Sequence, residues 1–93
     1  MALLSNKEID SALKYLDGWI FSNNKIYKDF SFDTYLNGIE FVNSLATIAE
    51  EKNHHPDLNV GWCRVEVIFT SHDQGGVTDQ CIEMAKVVES ILK

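Results

Sequence analysis

The chain has 93 residues, 45% hydrophobic and 24% charged, which is enough for one compact core, residues 1–93 as a single domain, and too little for a second. Fourteen Asp and Glu against eight Lys and Arg leave a formal charge of -6, and the acidic excess is shared evenly between the two halves. With one arginine, Arg64, and scattered lysines, no basic face is available to release phosphate counterions or to hold anionic lipid, which argues against direct nucleic-acid or membrane-surface functions.

Two cysteines, Cys63 and Cys81, form no CxxC and are too few for a disulfide framework or a thiolate zinc site. Both read as buried thiols. The opening Met1-Ala2-Leu3-Leu4 meets Ser5, Asn6 and Lys7 at once, so a secretory apolar core is missing, and no stretch approaches the ~20 apolar residues of a membrane helix. A soluble cytoplasmic protein is expected. A chain this small leaves much of its surface exposed, so a deep site is expected to borrow walls from a second copy.

In chain order, Ser5 and Glu8 form a capping box, with Leu4 and Ile9 as the apolar staple. The spacing of Ile9, Ala12, Leu13 and Leu16 predicts a short amphipathic helix ending at Asp17-Gly18. Period-two patterns over Trp19–Phe21 and Ile26–Phe32 flank Asn23-Asn24, residues that tolerate the left-handed conformation of a tight hairpin turn. Asp33 or Thr34 caps a long second helix, whose main stripe is Tyr35, Ile39, Val42, Leu45, Ala46 and Ala49. A second stripe through Thr34, Gly38, Phe41, Leu45 and Ile48 would leave Phe41 and Ile48 outward if only one face were buried, and so suggests a subunit contact.

Pro56 ends the helical signal near Asn53-His54-His55. Val60 to Thr70 alternates as a strand, with Cys63, Val65, Val67 and Phe69 on one face and Trp62, Arg64, Glu66 and Ile68 on the other. Ser71–Gly76 is a loop by composition, and Thr78 caps a last helix carrying Ile82, Ala85, Val88 and Leu92, widened by Met84, Val87 and Ile91. This order is that of an α+β sandwich with its helices on one sheet face.

All three histidines fall in two loops: His54 and His55 after the long helix, His72 after the main strand. Imidazole titrates nearest neutrality of all side chains, so histidines gathered at element ends suit proton transfer to and from a bound ligand. The plain alternative is three exposed polar loop residues. A zinc site from the histidines and Glu50 is disfavoured, because adjacent residues in an extended segment point in opposite directions, and no HExxH is present. No metal or cofactor is expected. Gly75-Gly76 lacks the lysine of a phosphate loop and reads as a turn needing positive φ. Trp19 and Trp62 each sit in a strand pattern where tryptophan is usually core. Neither cysteine neighbours a histidine in sequence, which leaves little support for thiol catalysis.

Glu50-x-x-x-His54-His55-Pro56, then Trp62, then His72 ahead of Gly75-Gly76-Val77-Thr78, resembles the signature of the pterin-4a-carbinolamine dehydratases. The Gly18-Trp19 pair and the element order agree, so the resemblance spans nearly the whole chain. It implies a small antiparallel four-stranded sheet with three helices packed on one face (α-ββ-α-ββ-α). It also implies dehydration of 4a-hydroxytetrahydropterin to quinonoid dihydropterin by histidine acid/base chemistry, without metal or cofactor. Carried over by position, His54 and His72 are the proton-transferring pair and His55 binds and polarises the substrate. Pro56 would fix the two histidines, Ser71, Asp73 and Gln74 would bond the pterin edge, Glu50 would orient an imidazole, and Trp19 would wall the pocket. The family pattern places an aspartate three residues after Thr78, where this chain has Cys81; Asp79 lies ~200° away around the helix and cannot replace it. The family assembles as dimers and tetramers through helical contacts, and one animal member doubles as a dimerisation cofactor of a transcription factor. A homodimer or homotetramer is therefore expected, with a non-catalytic protein-binding module as the competing role.

Overall fold

The structure, a computed structural model, describes residues 3–92. The Ser5 hydroxyl accepts from the Glu8 N–H (3.1 Å) and the Glu8 carboxylate from the Ser5 N–H (2.8 Å), which starts α1 (Asn6–Leu13) by satisfying two otherwise orphaned donors. The helix stops short of Asp17-Gly18. Tighter i→i−3 bonds, Tyr15 to Ala12 and Leu16 to Leu13, close its end and turn Leu16 into the core at 4% exposure.

Strands β1 (Ile20–Ser22) and β2 (Lys25–Ser31) form the expected hairpin. Asn23 and Asn24 both take left-handed φ, 52° and 63°, the pair of angles that a two-residue turn needs to follow the strand twist. After α2 (Tyr35–Lys52) come β3 (Asp57–Val60) and β4 (Arg64–Phe69), then α3 (Asp79–Ile91). The four strands are antiparallel in the order β1-β2-β4-β3, with Phe30 opposite Val65, Ile26 opposite Phe69 and Leu58 opposite Val67. Because side chains alternate along a strand, this register puts Ile26, Phe30, Val65, Val67 and Phe69 together on the helix side, where all are buried.

Several expectations are corrected. The alternating run Val60–Thr70 is not one strand. The Gly61 N–H donates to Arg64 O at 2.7 Å, a turn that splits β3 from β4, so Trp62 stands 82% exposed at its tip instead of in the core and Cys63 is only half-buried. The long helix is also rotated from its expected stripe: Gly38, Phe41, Leu45 and Ala49 are its buried residues, while Tyr35 and Leu36 face outward. The cause lies in the sheet, because the Phe41 ring packs on Phe30 and Phe32 at 5.4 and 5.3 Å. Gly38 faces the same seam, where a Cβ would lie in ordinary contact with Phe32 and Val65 at 3.5 Å. Phe41 is core, so it cannot form the subunit contact assigned to it. On the third helix, Thr78 occupies the cap position without a side-chain capping bond, and Leu92 faces outward.

No helix among the described residues is long and apolar enough to cross a membrane.

Candidate active site

Asn53 ends α2 in the left-handed conformation, φ 52° and ψ 41°, and the next N–H, that of His54, donates back to Ala49 O at 3.1 Å. This wrapped helix end satisfies carbonyls left over from the last turn and throws the two histidines off the helix in fixed directions. Pro56 then commits the chain to β3, since its ring forbids the residue before it a helical conformation.

The two imidazoles diverge, as adjacent residues in extended chain must. His54 turns inward: its ring stacks on Phe69 with centroids 5.9 Å apart and 18° between planes, and its Nε2 lies 3.3 Å from the Cys81 sulfur. His55 turns outward and pairs with Glu50 across 2.8 Å. The third histidine arrives from the other side. Ser71 N–H donates to Gly76 O (2.7 Å) and Gly75 N–H to Ser71 O (2.8 Å), closing a loop whose return needs the positive φ of Gly75, 77°. A side chain at that angle would be strained. The loop presents His72, whose Nε2 lies 3.8 Å from an Asp57 carboxylate oxygen at the start of β3.

Together these pieces line a cleft of ≈270 Å³ bounded by Asn53, His54, His55, Thr70, Ser71, His72 and Asp73. The placement gathers His54, His55, Ser71, His72 and Asp73 from the sequence-derived candidates. Glu50 stands behind the wall on His55, Gln74 donates its N–H to the Ser71 hydroxyl at 3.2 Å, and Pro56 is half-buried at the joint. Trp19 does not line the cleft. It is 5% exposed in the core, bonded through its indole N–H to Glu89 at 3.0 Å and stacked on Phe69 at 6.0 Å, so it lies one ring behind His54.

Burial lowers the His54 pKa from its ordinary value of 6.5, and the neighbouring His55 and His72 lower it further, because desolvation and like charges both penalise the imidazolium. His54 therefore stays uncharged at neutral pH. Among the described residues no three His, Cys, Asp or Glu side chains converge where a metal ion could sit. The arrangement offers a polar, histidine-walled cleft with both donors and acceptors, suited to moving protons on a small molecule.

Sequence reasoning missed three members of this site. Asn53 and Thr70 carry no motif that marks them. Cys81 was read as an inert buried thiol, and its contact with His54 joins residues far apart in the chain; the one available signal was its offset of one helical turn from Thr78, at a position where the resembling family has an acid.

A family model described as Pterin 4 alpha carbinolamine dehydratase matches residues 2–91. Relatives named provisionally for the same activity include one from Mycolicibacterium smegmatis, 39% identical over 99% of this chain and 98% of its own length. Another, from Metallosphaera sedula, is 42% identical over 100% of this chain and 97% of its own. A crystal structure titled transcriptional coactivator/pterin dehydratase from Brucella melitensis is similar at TM-score 0.92 and 31% identity, covering 98% of this chain and 99% of that one. A pterin dehydratase-like protein identified as a RuBisCO assembly factor in the alpha-carboxysome shares the fold at TM-score 0.65 and 22% identity, over 78% and 84% of the two chains.

Proposed function

The chain belongs to the pterin 4 alpha carbinolamine dehydratase family, and from that premise we propose that it dehydrates 4a-hydroxytetrahydropterin to quinonoid dihydropterin, recycling the pterin. The observation that carries the reading is the convergence of His54, His55 and His72 on one cleft from two separate loops. In the reaction the N5 lone pair expels the C4a hydroxyl, which leaves as water once it receives a proton, and a ring nitrogen then gives up a proton to yield the neutral product. Both steps need proton-handling groups held on opposite parts of one planar ring. His54 and His72 supply them, with His55, steadied by Glu50, binding the heterocycle beside them. Ser71, Asp73 and the backbone of the 71–76 loop offer hydrogen bonds to the pterin edge.

The test is dehydration of freshly generated 4a-hydroxytetrahydropterin, followed by ultraviolet absorbance. The native chain accelerates it above the spontaneous rate, and His54→Ala or His72→Ala lowers the enzymatic rate by about 10²-fold or more. Failure of folded native protein to accelerate it would overturn the reading in favour of a protein-binding module.

We also propose that the outward side of α2, where Tyr35 is 48% and Leu36 69% exposed beside half-buried Ile39 and Val42, is covered by a second copy in a homodimer or homotetramer. Bare apolar surface of this kind is what an assembly buries.

A further inference from the structure

Cys81 has no part in the scheme above, yet it is fully buried and its sulfur is 3.3 Å from His54 Nε2. On its other side the Thr78 hydroxyl, itself 1% exposed, donates to the same sulfur at 3.7 Å. That bond replaces the capping bond Thr78 fails to make. A thiol has one proton to give and can also accept weakly. With the hydroxyl proton directed at the sulfur, the thiol proton has Nε2 as its acceptor within reach, and neither of the two buried donors, the Thr78 hydroxyl and the Cys81 thiol, is left without a partner.

A neutral imidazole donates from one nitrogen and accepts at the other. If Nε2 accepts from the thiol, the ring proton is on Nδ1, the nitrogen with no hydrogen-bond partner among the described residues. Stacking on Phe69 holds the ring plane while the thiol fixes its rotation. We propose that Cys81 is a positioning residue for His54: through Thr78 O–H to sulfur and S–H to Nε2 it locks the tautomer that offers Nδ1–H to a molecule in the cleft. Resting on the dehydratase reading, this gives the neutral His54 a hydrogen bond from Nδ1–H to the hydroxyl that must leave as water, easing its departure while the completing proton comes from solvent, and gives His72 the acceptor side, where it takes the proton lost by the ring nitrogen and returns it to solvent.

Protonation of His54 would turn both nitrogens into donors and break the thiol bond. The ionisable groups around it are His55 with Glu50 behind it, His72 with Asp57 behind it, Asp73 on the cleft wall, and Asp79 and Cys81 at the start of α3. Lys52 ends α2, its carbonyl accepting from Gln80. The uncharged thiol places no formal charge against Nε2, so a carboxylate at position 81 would reverse the bond: Nε2–H would donate to it, and the imidazolium would be favoured.

The test is long-range ¹H–¹⁵N correlation on the free protein, with no substrate present, which reads the His54 tautomer and its titration. The native chain and Cys81→Ser show the proton on Nδ1. Cys81→Ala moves it toward Nε2, and Cys81→Asp raises the His54 pKa by about one unit or more. In the dehydration assay Cys81→Ala lowers kcat about tenfold or more with KM little changed, because a displaced ring misses its geometry, and Cys81→Ser restores most of it. If Cys81→Asp does not fold, the Ala and Ser pair and Thr78→Val, which removes the hydroxyl feeding the sulfur, still decide. A native His54 protonated on Nε2, or a tautomer indifferent to Cys81→Ala, overturns the proposal. The expected tautomer in a protein that accelerates no dehydration sinks the functional reading and leaves the positioning role standing.

Discussion

His54 is the most constrained of the three histidines, and its environment makes two statements about pH. With its pKa held below 6.5 by burial and by its two neighbours, the imidazole is uncharged in the folded and unfolded chain alike above that value. Below it the unfolded chain takes up the proton first, so this group withdraws stability as pH falls through about 6.5 toward the folded value. His54→Gln, which cannot titrate, should gain in melting temperature relative to the native chain between pH 7 and 5; a constant difference across that range would contradict the assignment. For activity the same shift means that the acid limb of kcat/KM attributable to His54 lies below 6.5, and a pH profile measured on the native enzyme checks it. His55 and His72 stand more exposed, each against a carboxylate, which separates the environments of the three rings despite their common chemistry.

At the scale of elements, the site depends on how α2 ends. Asn53 carries a positive φ, which asparagine tolerates and alanine does not. Asn53→Ala should cost roughly 1 kcal/mol and lower kcat by loosening His54, whereas Asn53→Gly should preserve both, as thermal melting and the dehydration assay would show. That helix end was legible in the sequence, because Pro56 and the two histidines announce it, as were the capping box at Ser5, the Asn23-Asn24 turn and the loop before α3. The rotation of α2 was not. Its two apolar stripes share Leu45 and are nearly equal in one dimension, and the choice between them is made by the rings of Phe30 and Phe32, which arrive from the sheet. Alternation misled in a similar way at Trp62: a period of two runs through Gly61 as smoothly as through a strand, and only the Gly61–Arg64 bond shows the reversal. The site followed the same division. Residues held by local turns could be named from their neighbours in sequence, while the Cys81–His54 contact needed α3 to be packed against the end of α2.

For the whole molecule, the separation of buried from outward α2 residues makes assembly and stability distinguishable. Phe41→Ala removes a ring wedged between two others and should destabilise the fold by about 3–5 kcal/mol. Leu36→Asp touches only the outward side, so it should leave the melting of the protomer nearly unchanged and lower the sedimenting mass to that of smaller species. An undiminished assembly in Leu36→Asp would move the contact elsewhere. The stack of Trp19, Phe69 and His54 links the interior to the cleft in another way. The protein's two indoles report on different places, Trp62 from open solvent and Trp19 from behind the Phe69 ring. With Trp62→Phe, Trp19 becomes the sole indole, two rings from the space where a ligand would lie, and its fluorescence, excited selectively over the tyrosines, becomes a built-in optical gauge of cleft occupancy that needs no label and no turnover.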